Sequence, residues 1–126
     1  METKRRIEIR IDGTPFTVVL NETITARHLF AALPLYGDGR FWGDEIYFDV
    51  GKTFSTQDPQ EEVEIGDVAY WAPGTALCLF FGRTPASTSD RPRAASSVTV
   101  IGKLVGDIGR LKKQSNLRGI EVQRIA

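Results

Sequence analysis

The segment EIYFDV, residues 45 to 50, alternates Glu45, Tyr47 and Asp49 with Ile46, Phe48 and Val50. In a strand this sends a carboxylate, a phenol and a second carboxylate to one face and three apolar side chains to the other. A second stretch, GDVAYWAPGTALCLFFGR, brings an indole at Trp71, a thiol at Cys78, rings at Phe80 and Phe81, and a guanidinium at Arg83. Ala69 and Trp71 share one face of their strand and Val68 and Tyr70 the other; Leu77, Leu79 and Phe81 oppose Cys78 and Phe80. Both faces are apolar. Such a strand is either covered twice or lines a cavity, which makes this region the first candidate for a pocket.

The remaining reactive residue types argue against several chemistries. His28 lies well around its helix from the Leu29, Phe30 and Leu33 stripe and points to solvent, so it is a poor general base. Cys78 reads as a buried hydrophobe, and with His28 as the only imidazole a Cys/His nucleophile pair is not expected. No Gly-x-Ser-x-Gly elbow, Cys-x-x-Cys pair or phosphate loop is present, so neither a metal nor a cofactor is expected. Asp44 and Glu45 are adjacent, face opposite ways in a strand, and do not form a carboxylate pair. No catalytic residue is assigned.

The elements that must position these groups are mostly strands. RIEIRID alternates Ile7, Ile9 and Ile11 with Glu8 and Arg10, and Asp12-Gly13 supplies a tight turn into PFTVVL, a hairpin. Ala26, Leu29, Phe30 and Leu33 then fall at helical spacing, with Thr23 or Thr25 as cap and Pro34 as stop, giving a single principal helix over residues 23 to 33. YGDGRFWG reads as turn, EIYFDV as a strand, VEIGDVAYWAP and ALCLFFG as two strands joined at Pro73-Gly74, and SSVTVIGKLVGD and GIEVQRIA as later strands around a polar, Lys-rich segment. Residues 84 to 97, TPASTSDRPRAASS, are rich in Pro, Ser, Ala and Thr and read as a long mobile loop. Many short strands with one helix predict a closed antiparallel β-barrel, because closure removes exposed edges.

Composition sets the outer bounds. The 126 residues, 41% hydrophobic and 25% charged, fit one domain with a substantial core. Sixteen basic and sixteen acidic residues cancel, which offers no bulk attraction to nucleic acid or anionic membrane. The single cysteine excludes an internal disulfide, and no signal-peptide-like or membrane-spanning apolar run occurs, so a cytoplasmic location is expected.

EEVEIGDVAYWAPGTALCLFFGRTP, preceded by WGDEIYF and followed by SSVTVIGKLVGD, resembles the small single-domain cyclophilin-like family of prokaryotes, over about Ile7 to Ile125. The resemblance implies a cyclophilin-like barrel of about eight strands with a groove on its outer face. In that comparison Phe81 matches the groove phenylalanine of the true prolyl isomerases, Leu79 replaces a glutamine, and Trp71 stands where a small residue leaves room for peptide. FWGDEI matches their Phe-His-Arg segment, so the arginine that polarises the prolyl amide is replaced by Asp44 or Glu45. A carboxylate cannot donate as a guanidinium does, and appreciable prolyl isomerase activity is not expected.

The isomerase analogy puts Trp71, Leu79 and Phe81 on the same outer side as Glu45 and Tyr47. Glu45, Tyr47, Trp71, Leu79, Phe81 and Arg83 are therefore expected to converge on one ligand-binding groove, with Glu45 as charge, Tyr47 as hydroxyl and Arg83 as an anion-binding fork. Trp42 fits either a groove or a covered patch. The leading functional reading is a barrel that binds a small organic molecule or short peptide in this aromatic groove. The alternatives are an isomerase-like or amide-processing enzyme, the latter by fold likeness to allophanate and oxoproline hydrolase domains, and a structural module whose groove is a homo-oligomer interface.

Overall fold

The computed structural model describes residues 4–125. Strands β1 (Arg6–Ile11) and β2 (Thr14–Leu20) form the expected hairpin. Asp12 and Gly13 carry φ of 47° and 79°, the left-handed pair whose twist matches a two-residue hairpin turn. Ile7, Ile9 and Ile11 are fully buried. Helix α1 (Ile24–Ala32) starts at Thr23, whose hydroxyl accepts the Ala26 N–H. It buries Ala26 and Leu29 and leaves His28 exposed.

YGDGRFWG, rich in turn residues and expected to be turn, instead supplies most of two short strands: β3 (Leu35–Gly37), which begins one residue before it, and β4 (Gly39–Phe41). They form because partners wait for them, β10 (Ile120–Arg124) pairing Val122 with Leu35 and β5 (Glu45–Asp49) pairing Ile46 with Phe41. Next come β6 (Gln60–Glu62) and β7 (Asp67–Trp71). A short 3-10 turn over Ala72–Gly74 leads into β8 (Ala76–Phe80). The long β9 (Arg93–Val105) and a 3-10 segment Ile108–Lys113 complete the set.

The strand order is β3-β10-β1-β2-β9-β7-β8-β5-β4, with β6 on β9 and every pairing antiparallel. The protein is thus mainly β with one main helix; among the described residues no ladder joins the two ends of the path, so the antiparallel sheet is not closed by hydrogen bonds into the expected barrel. The two end strands span three residues each and are consecutive in the chain. Each spends its hydrogen bonds on a different end of the sheet. The sheet nonetheless wraps one core, in which Leu35, Ile120 and Val122 from one end meet Ile46, Phe48, Leu77 and Leu79 from the other.

The ends come together at Gly37, where a Cβ would collide with the Asp49 carbonyl oxygen and press on the Phe48 ring. Backbone cannot yield there as a flexible side chain would. Gly37→Ala is therefore expected to lower the unfolding free energy by about 1–3 kcal/mol, the usual cost of overpacking. Urea titration checks this, and an unchanged midpoint would mean that β3 is not pressed against β5.

Residues 93–97, assigned above to a mobile loop, are the start of β9. Glu62 pairs with Arg93 and Gln60 with Val98 across to β6. Ala94 is buried in a second apolar cluster with Val63, Ala69, Cys78, Phe80 and Val98. Among the described residues no helix is long and apolar enough to cross a membrane.

Candidate functional site

The register of three strands builds a concavity on the outer face of the sheet. Across β5 and β8, Glu45 pairs with Phe80 and Tyr47 with Cys78; across β7 and β8, Ala69 pairs with Cys78 and Trp71 with Ala76. Directly paired residues share a face. Glu45, Tyr47, Trp71, Cys78 and Phe80 therefore stand on one side, away from the main core. A space of about 200 Å³ opens there between Trp42, Tyr47 and Trp71, with Glu45 and Cys78 at its floor and Ala94, Ala95 and Val98 of β9 along its side.

Each ring is held from the backbone upward. Trp71 ends β7, its Nε1–H donates to Ser96 Oγ at 2.7 Å, and its ring lies where any Cβ on Gly74 would intrude. Trp42 and Glu45 close a tight turn, with the Trp42 N–H on the Glu45 carbonyl at 2.8 Å and the Glu45 N–H returned at 3.2 Å. Gly43 within that turn has φ of 60° and sits against the Thr84 and Pro85 segment. A side chain there would meet both a strained backbone and a wall. Asp44 turns away from the concavity to pack on Gly82 and pair with Lys112 at 3.5 Å.

Glu45 is the electrostatic anomaly of the molecule. It is 5% exposed, and its Oε1 is buried with no hydrogen-bond partner. Burial raises its carboxyl from the ordinary 4.5 to about 7, and the neighbouring Cys78 thiol, a weak donor favouring the ionised form, offsets only part of that. Cys78 is pushed well up, first by its own burial and then by the Glu45 charge. A thiol so disfavoured as thiolate is a poor nucleophile. No Lys, Arg or His lines the concavity among the described residues. The arrangement offers an acceptor that titrates near neutrality inside an aromatic, largely apolar wall.

Of the six residues expected to converge, Glu45, Tyr47 and Trp71 line this space and Leu79, Phe81 and Arg83 do not. Leu79 and Phe81 belong to the main core, Phe81 edge-on to Phe41 at 6.3 Å. On β8 it is Cys78 and Phe80, not Leu79, that share the face of Glu45 and Tyr47, the opposite phase to the one expected. All five residues of that strand are buried, so alternation along it carries no sign of which face looks outward; only the Glu45–Phe80 and Tyr47–Cys78 pairs decide. Arg83 is exposed beside Asp90 at 3.8 Å. Cys78, read above as core, is buried but on the floor of the concavity. Ala94, Ala95 and Val98 were missed because most of their segment reads as loop, and their only signal is the alternation of Ala94, Ser96 and Val98.

A family model described as Cyclophilin-like matches residues 5–123. The chain is also similar to a hypothetical protein from Archaeoglobus fulgidus whose structure was determined in solution, with 38% identity, 99% of this chain and 98% of that chain covered, and a TM-score of 0.81. Among curated proteins none matches.

Proposed function

Since the chain belongs to the cyclophilin-like family, we propose that it serves as a binding protein for a small organic molecule, seated in the concavity between Trp42, Tyr47 and Trp71 on the outer face of the barrel-like sheet. The observation that carries this reading is the unpartnered, buried Oε1 of Glu45 at the floor of an aromatic pocket. An orphaned buried acceptor costs about 1–3 kcal/mol. A bound donor removes that cost, which gives the site a reason to exist that packing alone does not. The other side chains of the wall are apolar or aromatic, the usual make-up of a small-ligand site with a single orienting polar group.

The protein reports on its own site, because its two tryptophans, Trp42 and Trp71, both line the concavity. A panel of small amines, alcohols and amides read by tryptophan fluorescence, with chemical-shift mapping of the same samples, tests the reading. Trp71→Ala is expected to weaken any hit by about 1–3 kcal/mol, the scale for burying one large ring. Hits that bind the variant as well as the wild type, or whose shifts map to another face, would refute it.

A further inference from the structure

We propose that the molecule held in this concavity is a small organic cation bearing an N–H, a protonated primary or secondary amine, with its ammonium on Glu45 Oε1 and its hydrocarbon against Trp42, Tyr47 and Trp71; the proposal rests on the binding reading above. Three observations select this class. Oε1 can only accept when ionised, so it needs a donor, and beyond the weak Cys78 thiol beside the carboxyl the described residues bring it none. The indole N–H of Trp71 is committed to Ser96.

The second observation is the missing counter-charge. Of the basic groups of the flanking segments, Arg83 stands by Asp90, Arg91 by Glu62, Arg93 by Glu61 and Lys112 by Asp44, while Arg40 of β4, exposed and paired with Tyr47, shares this face of the sheet but does not line the concavity. The titratable groups facing Glu45 are Tyr47 on its own strand and Cys78 on β8, with Arg40 of β4 on the same face beyond Tyr47; β7 and β9 add only Trp71, Ala94, Ala95 and Val98 to the lining. An ionised Glu45 therefore has no cation within the concavity among the described residues, and a ligand ammonium supplies both the charge and the donor. An anion would meet the carboxylate, and a neutral molecule would leave the charge uncompensated.

The third is the wall. Aromatic rings attract cations through their electron-rich faces, tryptophan most strongly. With about 30 Å³ per water-sized group, a space of about 200 Å³ takes about six or seven non-hydrogen atoms. That is the size of a short alkylamine.

Four probes matched in non-hydrogen atom count separate the possibilities: n-butylammonium, tetramethylammonium, n-butanol and propionate, each titrated by tryptophan fluorescence and chemical shift. At about pH 8 n-butylammonium is expected to bind at least about tenfold tighter than n-butanol, tetramethylammonium to fall between them for want of an N–H, and propionate to fail. Lowering the pH to about 5.5 is expected to weaken n-butylammonium by about tenfold or more as Glu45 takes up a proton, and to leave n-butanol unchanged. Glu45→Gln should abolish the preference for the ammonium. Ala95→Lys, which puts a cation at an exposed position of the wall, should weaken n-butylammonium and spare n-butanol. Equal affinity for n-butanol and n-butylammonium, or a preference that survives Glu45→Gln, overturns the amine and leaves the binding reading standing. Equal affinity for tetramethylammonium overturns the N–H requirement. If none of the four gives a response that depends on Trp71, the binding reading fails and the amine with it.

Discussion

Glu45→Gln is expected to make the protein more stable by about 3 kcal/mol above pH 7 and to change little at about pH 4, a pH-dependent gain rather than a uniform one. In the folded protein burial raises the carboxyl of Glu45 from 4.5 to about 7. Between those values the folded chain keeps a proton that the unfolded chain has released. The unfolded state then binds fewer protons, so stability falls as pH rises through this window. Below it both states are protonated and nothing is lost; above it both are ionised and the loss is complete. At about 1.4 kcal/mol per pH unit the full loss is about 3 kcal/mol. Glutamine never ionises and escapes it. Urea unfolding of both proteins from about pH 4 to pH 8 measures the difference, and two curves that run parallel across this range would show that Glu45 carries no such burden. The same substitution is expected to remove amine binding, so stability and function pull opposite ways at this residue, as they commonly do at binding sites.

Tyr70→Ala is expected to cost about 3–5 kcal/mol and to loosen the segment between β5 and β6, whereas Tyr70→Phe should cost about 1–3 kcal/mol. Tyr70 is fully buried and stands edge-on to Phe54 at 5.1 Å. Its hydroxyl donates to the Lys52 carbonyl at 2.8 Å and accepts the Phe54 N–H at 3.2 Å. That segment has no regular structure of its own and is held by such ties, including Gln57 Oε1 accepting the Ile24 N–H at 2.7 Å and the Gln57 N–H reaching Thr99 Oγ1 at 3.1 Å. The alanine loses ring volume, the edge contact and both bonds; the phenylalanine loses the bonds alone and leaves two backbone groups without their partner. Hydrogen exchange at Phe54, alongside global unfolding, checks both. Equal costs for the two variants would mean that the ring contributes nothing beyond its hydroxyl.

By itself the sequence determined the elements whose signal is local. The β1–β2 hairpin follows from three alternating isoleucines and an Asp-Gly pair, and α1 from apolar residues at helical spacing with Thr23 before them. Ile46, Phe48 and Val50 were legible as inward-facing because their neighbours Glu45, Tyr47 and Asp49 are polar or amphipathic, and that contrast also put Glu45 and Tyr47 on the outer face. The resemblance to the cyclophilin-like family was legible in the run from WGDEIYF through GKLVGD. Tertiary structure decided the rest, wherever local contrast vanished. β8 is apolar on both sides, so its pairing with β5 had to say that Cys78 and Phe80, and not Leu79 and Phe81, look toward Trp71. β3 and β4 are turn-like in composition and become strands only because β10 and β5 offer free edges. The first residues of β9 are small and polar and become strand against β6. Most of all, the burial of Glu45 without a partner is a property of the surroundings that three other strands assemble, and no pattern within its own strand records it.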